Sequence, residues 1–339
     1  MKAIVIDKPN SIELRDIPKP IPAENEALLK IRHVGICGAD VASFTGNQPF
    51  TTYPRIPGHE FSAEIVSIPE NDRNLKVGDI VTCNPYFNCN SCYSCERGLV
   101  NCCTDNQTMG VQRDGAFCEY ITMPVERIYD GKGLSSEELA LIEPFSISQH
   151  AVSRATIKEN DTVLVIGAGP IGLFALLAAK QKCKKIAVAD ILDNRLKLAS
   201  EYGADAVINT SEKSLEEFTE EFTEGRGFDV CIEACGAPET FLGCINSAAF
   251  GANIILIGNG KRNTDFLHSI ILKKELNIFG SRNALKDDFI NNIDLVADKK
   301  ADVMKMVSAV YDITEAKEAF TALASNDGTL AKILIKIGE

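Results

Sequence analysis

The chain has no tryptophan, and its 339 residues include only 4 histidines and 5 methionines. Cationic side chains are outnumbered, 35 lysines and arginines against 47 aspartates and glutamates, giving a net charge of −12. No concentrated basic stripe offsets that balance, which speaks against a nucleic-acid surface, since phosphates call for clustered Lys and Arg. Long apolar runs are missing as well. None approaches the roughly 20 residues of a membrane span, and the opening MKAIVIDKPN lacks a signal-peptide core. These absences lead to the expectation of a cytoplasmic protein with neither nucleic acid nor membrane as partner. The length is enough for two domains, and no internal repeat or low-complexity linker separates them.

Cysteine, by contrast, is plentiful, with 12 residues. In a reducing compartment the first reading is metal ligation rather than disulfides. Cys89, Cys92, Cys95 and Cys103 form CxxCxxCx7C. Four thiolates on one short loop suit a closed tetrahedral zinc site, which is structural because no coordination position stays open. Cys102 remains an alternative fourth ligand on spacing alone. Most other cysteines sit in apolar segments and read as buried thiols.

The stretch around which the chain is organised is DTVLVIGAGPIG, residues 161–172. An apolar strand runs into a glycine-rich turn and then an alanine- and leucine-rich helix beginning at Pro170 and Ile171. Gly167 permits the turn, Gly169 lets backbone approach a pyrophosphate, and Gly172 lets the helix pack against the sheet. A second strand ends in Asp190, placed to accept hydrogen bonds from ribose hydroxyls. The same carboxylate repels a 2′-phosphate, and no basic residue follows before Arg195, so the expected cofactor is NAD. The competing reading makes Asp190 a cap of the next helix.

β signals at 3–6, 12–14, 28–33, 60–68, 79–83 and 116–123 make the N-terminal third a β-rich domain. The pattern turns helical at 134–142, where the domains join. From residue 161 six apolar strands at 163–166, 186–189, 206–208, 230–233, 254–257 and 276–279 alternate with helices, which predicts a doubly wound parallel sheet. The tail, 287–339, shows two amphipathic helices and a closing strand at 332–337, expected to return to the first domain. The expected active site lies between the two domains.

A second set of candidate ligands is dispersed: Cys37 in VGICGAD, His59 and Glu60 in PGHEF, and Glu143 in LIEPF. Each alone has an ordinary explanation in a core, a turn or a helix end. Together they supply a thiolate, an imidazole and carboxylates, enough for zinc with a position open to water or substrate.

With GICGAD, GHE, VGDIV, the four-cysteine lobe, DGAFCEY and GAGPIG in this order, the chain resembles the zinc-dependent medium-chain dehydrogenases, the alcohol, polyol and threonine dehydrogenase superfamily, over nearly its whole length. The resemblance implies an α/β protein with a GroES-like β-barrel catalytic domain, 1–146 and 283–339, and a Rossmann NAD-binding domain, 147–282. It favours Cys103 over Cys102 and implies one structural and one catalytic zinc. Cys37 and His59 become ligands of the catalytic zinc, with Glu60 and Glu143 as ligands or near-ligands. Homodimers or homotetramers are implied too.

NEALLKIRHVGIC, GNQPFTTYPRIPGHEF, IEPFSISQHAV and GSRNALKDDF look most like the bacterial L-galactonate and L-gulonate 5-dehydrogenases. That narrows the expectation to NAD-dependent oxidation of a sugar acid at C5, with Arg282 gripping its carboxylate. The alternatives are a neutral polyol or butanediol dehydrogenase, an L-threonine 3-dehydrogenase, and a catalytically silent dinucleotide-binding sensor. The family's proton-relay hydroxyl, two residues after the ligand cysteine, is here Ala39, and a frequent histidine is Ala42. The proton is then expected to leave through water, assisted by Glu60, Glu143 or Ser43. Arg195 is expected at the adenosine end of the cofactor.

Overall fold

The computed structural model describes residues Met1–Gly338. It divides into two compact units, Met1–Glu143 with Leu285–Glu339, and Pro144–Ala284.

In the second unit the apolar strands pair in the spatial order Ala206–Asn209, Lys185–Asp190, Thr162–Ile166, Phe228–Glu233, Ala248–Leu256, Asn277–Gly280. Every neighbouring pair is parallel. The first strand in sequence therefore lies inside the sheet, and the strand order reverses beside it, where such sheets open a crevice at their carboxyl ends. Thr162–Ile166 is buried throughout, which is why it reads as an unbroken apolar run. The helix Pro170–Lys180 begins with proline in its first turn and has Gly169 as its N-cap. Gly167 has φ +104°, and a Cβ on Gly172 would lie 1.7 Å from the Gly167 carbonyl oxygen. Phe145 and Phe174 stack with centroids 5.1 Å apart behind this turn. The strand Ala248–Leu256 starts earlier than its apolar run suggests, because Ala248 pairs with Phe228 across a register shift.

The first unit is built on the strand Glu26–Gly35. One edge of it pairs antiparallel with Glu60–Ser67, and the other is shared end to end by Tyr120–Pro124 and Lys332–Lys336. The tail thus joins this sheet as expected. It also adds a strand that the sequence did not signal, Val307–Asp312, parallel to Lys332–Lys336 at the sheet edge. Phe320, on the helix Ala316–Ala324, meets Phe44 and Phe117 edge-on at 5.8 and 5.5 Å. Each such pair contributes about 0.5–1.5 kcal/mol beyond area burial, so the tail is held by packing as well as by strand pairing.

Residues 116–119, expected to continue a strand, do not. The strand begins at Tyr120, because the preceding backbone is bonded elsewhere. Ala116 and Phe117 N–H groups donate to the carbonyls of Gly58 (2.9 Å) and Pro57 (3.1 Å). A Cβ on Gly115 would lie 2.3 Å from the Gly58 oxygen, so glycine is required where this segment presses on the loop leading to His59.

Gly172→Ala is expected to lower the unfolding free energy by at least about 2 kcal/mol, through overpacking against backbone. A urea titration checks this, and an unchanged midpoint would contradict the close helix–turn packing.

Candidate active site and metal centres

Cys37 precedes the helix Gly38–Thr45, and its N–H donates to Asp40 Oδ2 at 2.9 Å. Asp40 is fully buried, and its other oxygen accepts the Gly58 N–H at 2.9 Å and lies 3.9 Å from His59 Nδ1. One carboxylate therefore ties the Cys37 loop to the His59 loop. His59 and Glu60 sit at the start of the strand Glu60–Ser67, and donor atoms of Cys37, His59 and Glu60 all lie within 4.8 Å of one another. His59 Nδ1 is buried without a hydrogen-bond partner. Burial pushes the Cys37 thiol up, and Glu60 adds to it. Burial pulls the His59 imidazole down, but Cys37 and Asp40 outweigh it and hold it well above its ordinary value. A soft sulfur, an imidazole and a carboxylate gathered out of water, with an orphaned ring nitrogen, fit a zinc ion.

Lys332, the first residue of the strand Lys332–Lys336, reaches this group. Its Nζ lies 2.8 and 2.7 Å from the two Glu60 oxygens. Lys332 is 4 % exposed and Glu60 1 %. A Cβ on Gly35 would fall 2.3 Å from Glu60 Oε2, so the glycine of GIC makes room for the carboxylate. Sequence reasoning missed Lys332, which is 272 residues from its partner. The one local signal is a lysine heading an apolar strand.

Glu143 lies in the first turn of the helix Ile142–Ser153, 2 % exposed, and accepts a short hydrogen bond from the Tyr86 hydroxyl. Burial pushes its carboxyl up to about 7, helped by Glu60 and opposed by His59. It is not in the 4.8 Å donor group. Tyr86 was another residue that motif spacing did not reveal. Ser43, expected to assist the departing proton, is fully buried. Its hydroxyl donates to the Ala39 carbonyl at 3.0 Å and shares a 2.7 Å hydrogen bond with Thr51. The half-buried Thr51 is thus the outer member of a hydroxyl pair beside Ala39.

In the cysteine lobe, Sγ separations are 3.5 Å for Cys92–Cys95, 3.5 Å for Cys89–Cys103 and 3.9 Å for Cys92–Cys103. These are far longer than a disulfide. They match the edge of about 3.8 Å that four sulfurs make around zinc at about 2.3 Å. The four-donor group is Cys89, Cys92, Cys95 and Cys103, with Cys102 outside it. N–H groups of Cys89 and Cys92 point at Cys103 Sγ (3.2 Å) and Cys89 Sγ (3.3 Å), as suits thiolates.

At the glycine-rich turn, Asp190 Oδ2 accepts the Ala168 N–H at 2.7 Å. Its Oδ1 accepts from Ile191 (2.8 Å) and Leu192 (3.1 Å), so it braces the turn rather than capping the helix Asp193–Glu201. Arg195 Nη1 lies 3.7 Å from Asp190 Oδ2. The space a Gly169 Cβ would occupy is open for 4 Å, leaving the backbone at this helix N-terminus approachable. The Ile171 carbonyl accepts from Ser148 Oγ at 2.8 Å. Arg282 is exposed just beyond the strand Asn277–Gly280.

In the metal-free chain, Lys332→Met is expected to cost about 3–5 kcal/mol, because it strands a buried carboxylate. Adding Glu60→Gln is expected to restore more than half of it. Urea unfolding of the two variants checks this, and a single-variant cost below about 1 kcal/mol would show that the pair does not organise the site.

Comparison with known proteins agrees with this geometry. Residues 23–132 match the alcohol dehydrogenase GroES-like domain, and residues 170–298 the zinc-binding dehydrogenase domain. The L-galactonate-5-dehydrogenase of Escherichia coli K12 is 36 % identical over 339 residues, covering 99 % of this chain and 98 % of that one. A sorbitol dehydrogenase of Halalkalibacterium halodurans is 30 % identical over 342 residues, 99 % of each chain. A solved structure described as a short chain alcohol dehydrogenase from Escherichia coli CFT073, complexed with NADH, superposes with a TM-score of 0.92 at 32 % identity over 99 % of both chains. The chain therefore belongs to the zinc-binding alcohol dehydrogenase family, oxidoreductases that act on CH–OH groups of small molecules with a nicotinamide dinucleotide.

Proposed function

We propose that this protein oxidises the C5 hydroxyl of a sugar acid, L-galactonate or L-gulonate, with NAD as hydride acceptor. The observation that carries the chemistry is the group of half-buried Cys37 and buried His59 and Glu60, whose donors lie within 4.8 Å of one another. Cys37 and His59 hold a catalytic zinc, with Glu60 or Glu143 as the carboxylate donor. When bound, zinc supplies a Lewis acid that lowers the pKa of the substrate hydroxyl, and NAD supplies the redox chemistry.

The chain's own residues do the rest. Lys332 holds both Glu60 oxygens in a buried place through paired 2.7 and 2.8 Å contacts. With Glu60 as the carboxylate donor, Glu143, its carboxyl pushed up to about 7 and one oxygen held by Tyr86, accepts the hydroxyl proton on its other oxygen. That role replaces the relay hydroxyl missing at Ala39. Cys89, Cys92, Cys95 and Cys103 hold a second, structural zinc.

Gly167, Gly169, Pro170, Ile171 and Gly172 form the pyrophosphate seat at a helix N-terminus. Asp190 selects NAD over NADP by charge, with Arg195 at the adenosine end. The sugar-acid reading is supported by the 36 % identical L-galactonate-5-dehydrogenase and by the exposed guanidinium of Arg282, which suits a carboxylate. A homodimer or homotetramer is supported by Phe250 (70 % exposed) and Leu272 (83 % exposed) on the same unit as the edge strand Asn277–Gly280.

NAD reduction is to be followed with L-gulonate, L-galactonate, sorbitol, 2,3-butanediol and L-threonine. The expected result is selective oxidation of the sugar acids and loss of turnover in Cys37→Ser. Arg282→Ala is expected to raise KM for the sugar acid at least about tenfold more than for a neutral polyol. Oxidation of only sorbitol, butanediol or threonine contradicts the sugar-acid reading. Silence on every substrate, with zinc and NAD bound, contradicts the enzymatic one and favours a sensor.

A further inference from the structure

The short strand Tyr86–Phe87 serves two places: Tyr86 holds Glu143, while Phe87 lines a separate cavity of about 260 Å³. The cavity's apolar wall includes Ile17, Ile56, Phe87, Met109 and Tyr120, and Arg113 enters it. None of the donors Cys37, His59, Glu60 or Glu143 lines it.

Arg113 is the unusual feature. Its guanidinium lies 3.7 Å from the Phe87 ring centroid. Among the described residues no carboxylate pairs with it within 4.0 Å. Its neighbour Asp114 also lines the cavity, but its Oδ1 is bonded to Arg55 at 3.1 Å and to the Ile56 N–H at 3.2 Å.

Arg127 shows what a structural arginine in this place does. It lies 4.5 Å from the same ring but donates to the Tyr86 carbonyl and, at 2.9 Å, to Asn88 Oδ1. The half-buried Arg113 has the stacking without a bonded partner, and burial holds its guanidinium below the usual value, opposed at longer range by Glu26 and Asp114. The base of the side chain is fixed, because the Gly110 N–H donates to the Arg113 carbonyl at 2.8 Å in a turn where Gly110 has φ +76°. A second cation repeats the pattern, with Lys19 Nζ 3.6 Å from the centroid of the Tyr120 ring and no carboxylate paired with it among the described residues.

We propose that this cavity is a second binding site, taking a small monoanion with an apolar body, such as an aromatic or short-chain carboxylate. The planar fork of Arg113 meets the carboxylate with paired N–H donors, and the Phe87 face keeps that fork in place. The hydrocarbon part of the ligand covers the apolar wall. Lys19 adds a longer-range attraction at the mouth. A polar dianion lacks the apolar body this wall requires.

The test is calorimetric titration of benzoate into the full chain loaded with zinc and NADH, with benzamide as the neutral isostere. Saturable binding of one benzoate per chain is expected, at least about tenfold tighter than benzamide. Arg113→Met is expected to weaken benzoate at least about tenfold, Arg113→Lys less so, with turnover retained as the folding control. Four results overturn the proposal: equal binding of benzoate and benzamide, unchanged binding in Arg113→Met, binding abolished instead by Cys37→Ser, which places the anion at the metal, or no saturable binding below about 20 mM. Should Arg113→Met not fold, the benzoate-to-benzamide ratio and Arg113→Lys still decide.

Discussion

A buried ion pair between the tail and the strand Glu60–Ser67, antiparallel neighbour of the central strand Glu26–Gly35, governs how the catalytic unit is assembled. Glu60 stands beside Cys37 and His59, 1 % exposed, where burying an unpaired carboxylate would be costly. Lys332 answers it with both oxygens in reach, at 2.8 and 2.7 Å. Such a pair adds little net stability, since desolvation consumes most of the attraction, but losing one partner is costly. It therefore acts as a registration device. The strand Lys332–Lys336 must pair with Glu26–Gly35 in the register that delivers Lys332, and Gly35 must lack a side chain.

Asp40 performs the matching task on the other side. Its two oxygens take N–H groups from Cys37 and Gly58, so the thiol and the imidazole loops are placed by one side chain. The same economy appears in the nucleotide-binding unit. Asp190 braces the glycine-rich turn through the Ala168 N–H and its own following residues, and its burial leaves the open backbone at Gly169 as the approachable face. In both units a buried carboxylate fixes backbone, and the fixed backbone offers the chemistry.

What could be read in the sequence was whatever depends on near neighbours. The strand, turn and helix around Gly167 to Gly172, the alternation of six strands with helices, and the four-cysteine lobe all follow from spacing within a few turns of chain. The choice between Cys103 and Cys102 did not, because it rests on which way each side chain faces in a short helical turn. Lys332, Tyr86 and Thr51 lay out of reach because each acts on a residue set by tertiary pairing. Residues 116–119 were misread as strand because their apolar character serves packing while their N–H groups answer the 57–58 loop. The edge strand Val307–Asp312 alternates half-buried and exposed positions with none fully buried, so its apolar residues do not mark a core-facing run.

The central claim is that this chain holds two zinc ions in two chemically distinct places, one closed by four sulfurs and one built on Cys37 and His59. Zinc counted by mass spectrometry on purified protein tests it most directly. The account predicts two per chain, falling to one in Cys37→Ser and to one in Cys103→Ser, with the cobalt-substituted forms showing thiolate charge-transfer bands of different intensity. A single zinc in the unaltered chain, or two retained in Cys37→Ser, would contradict it.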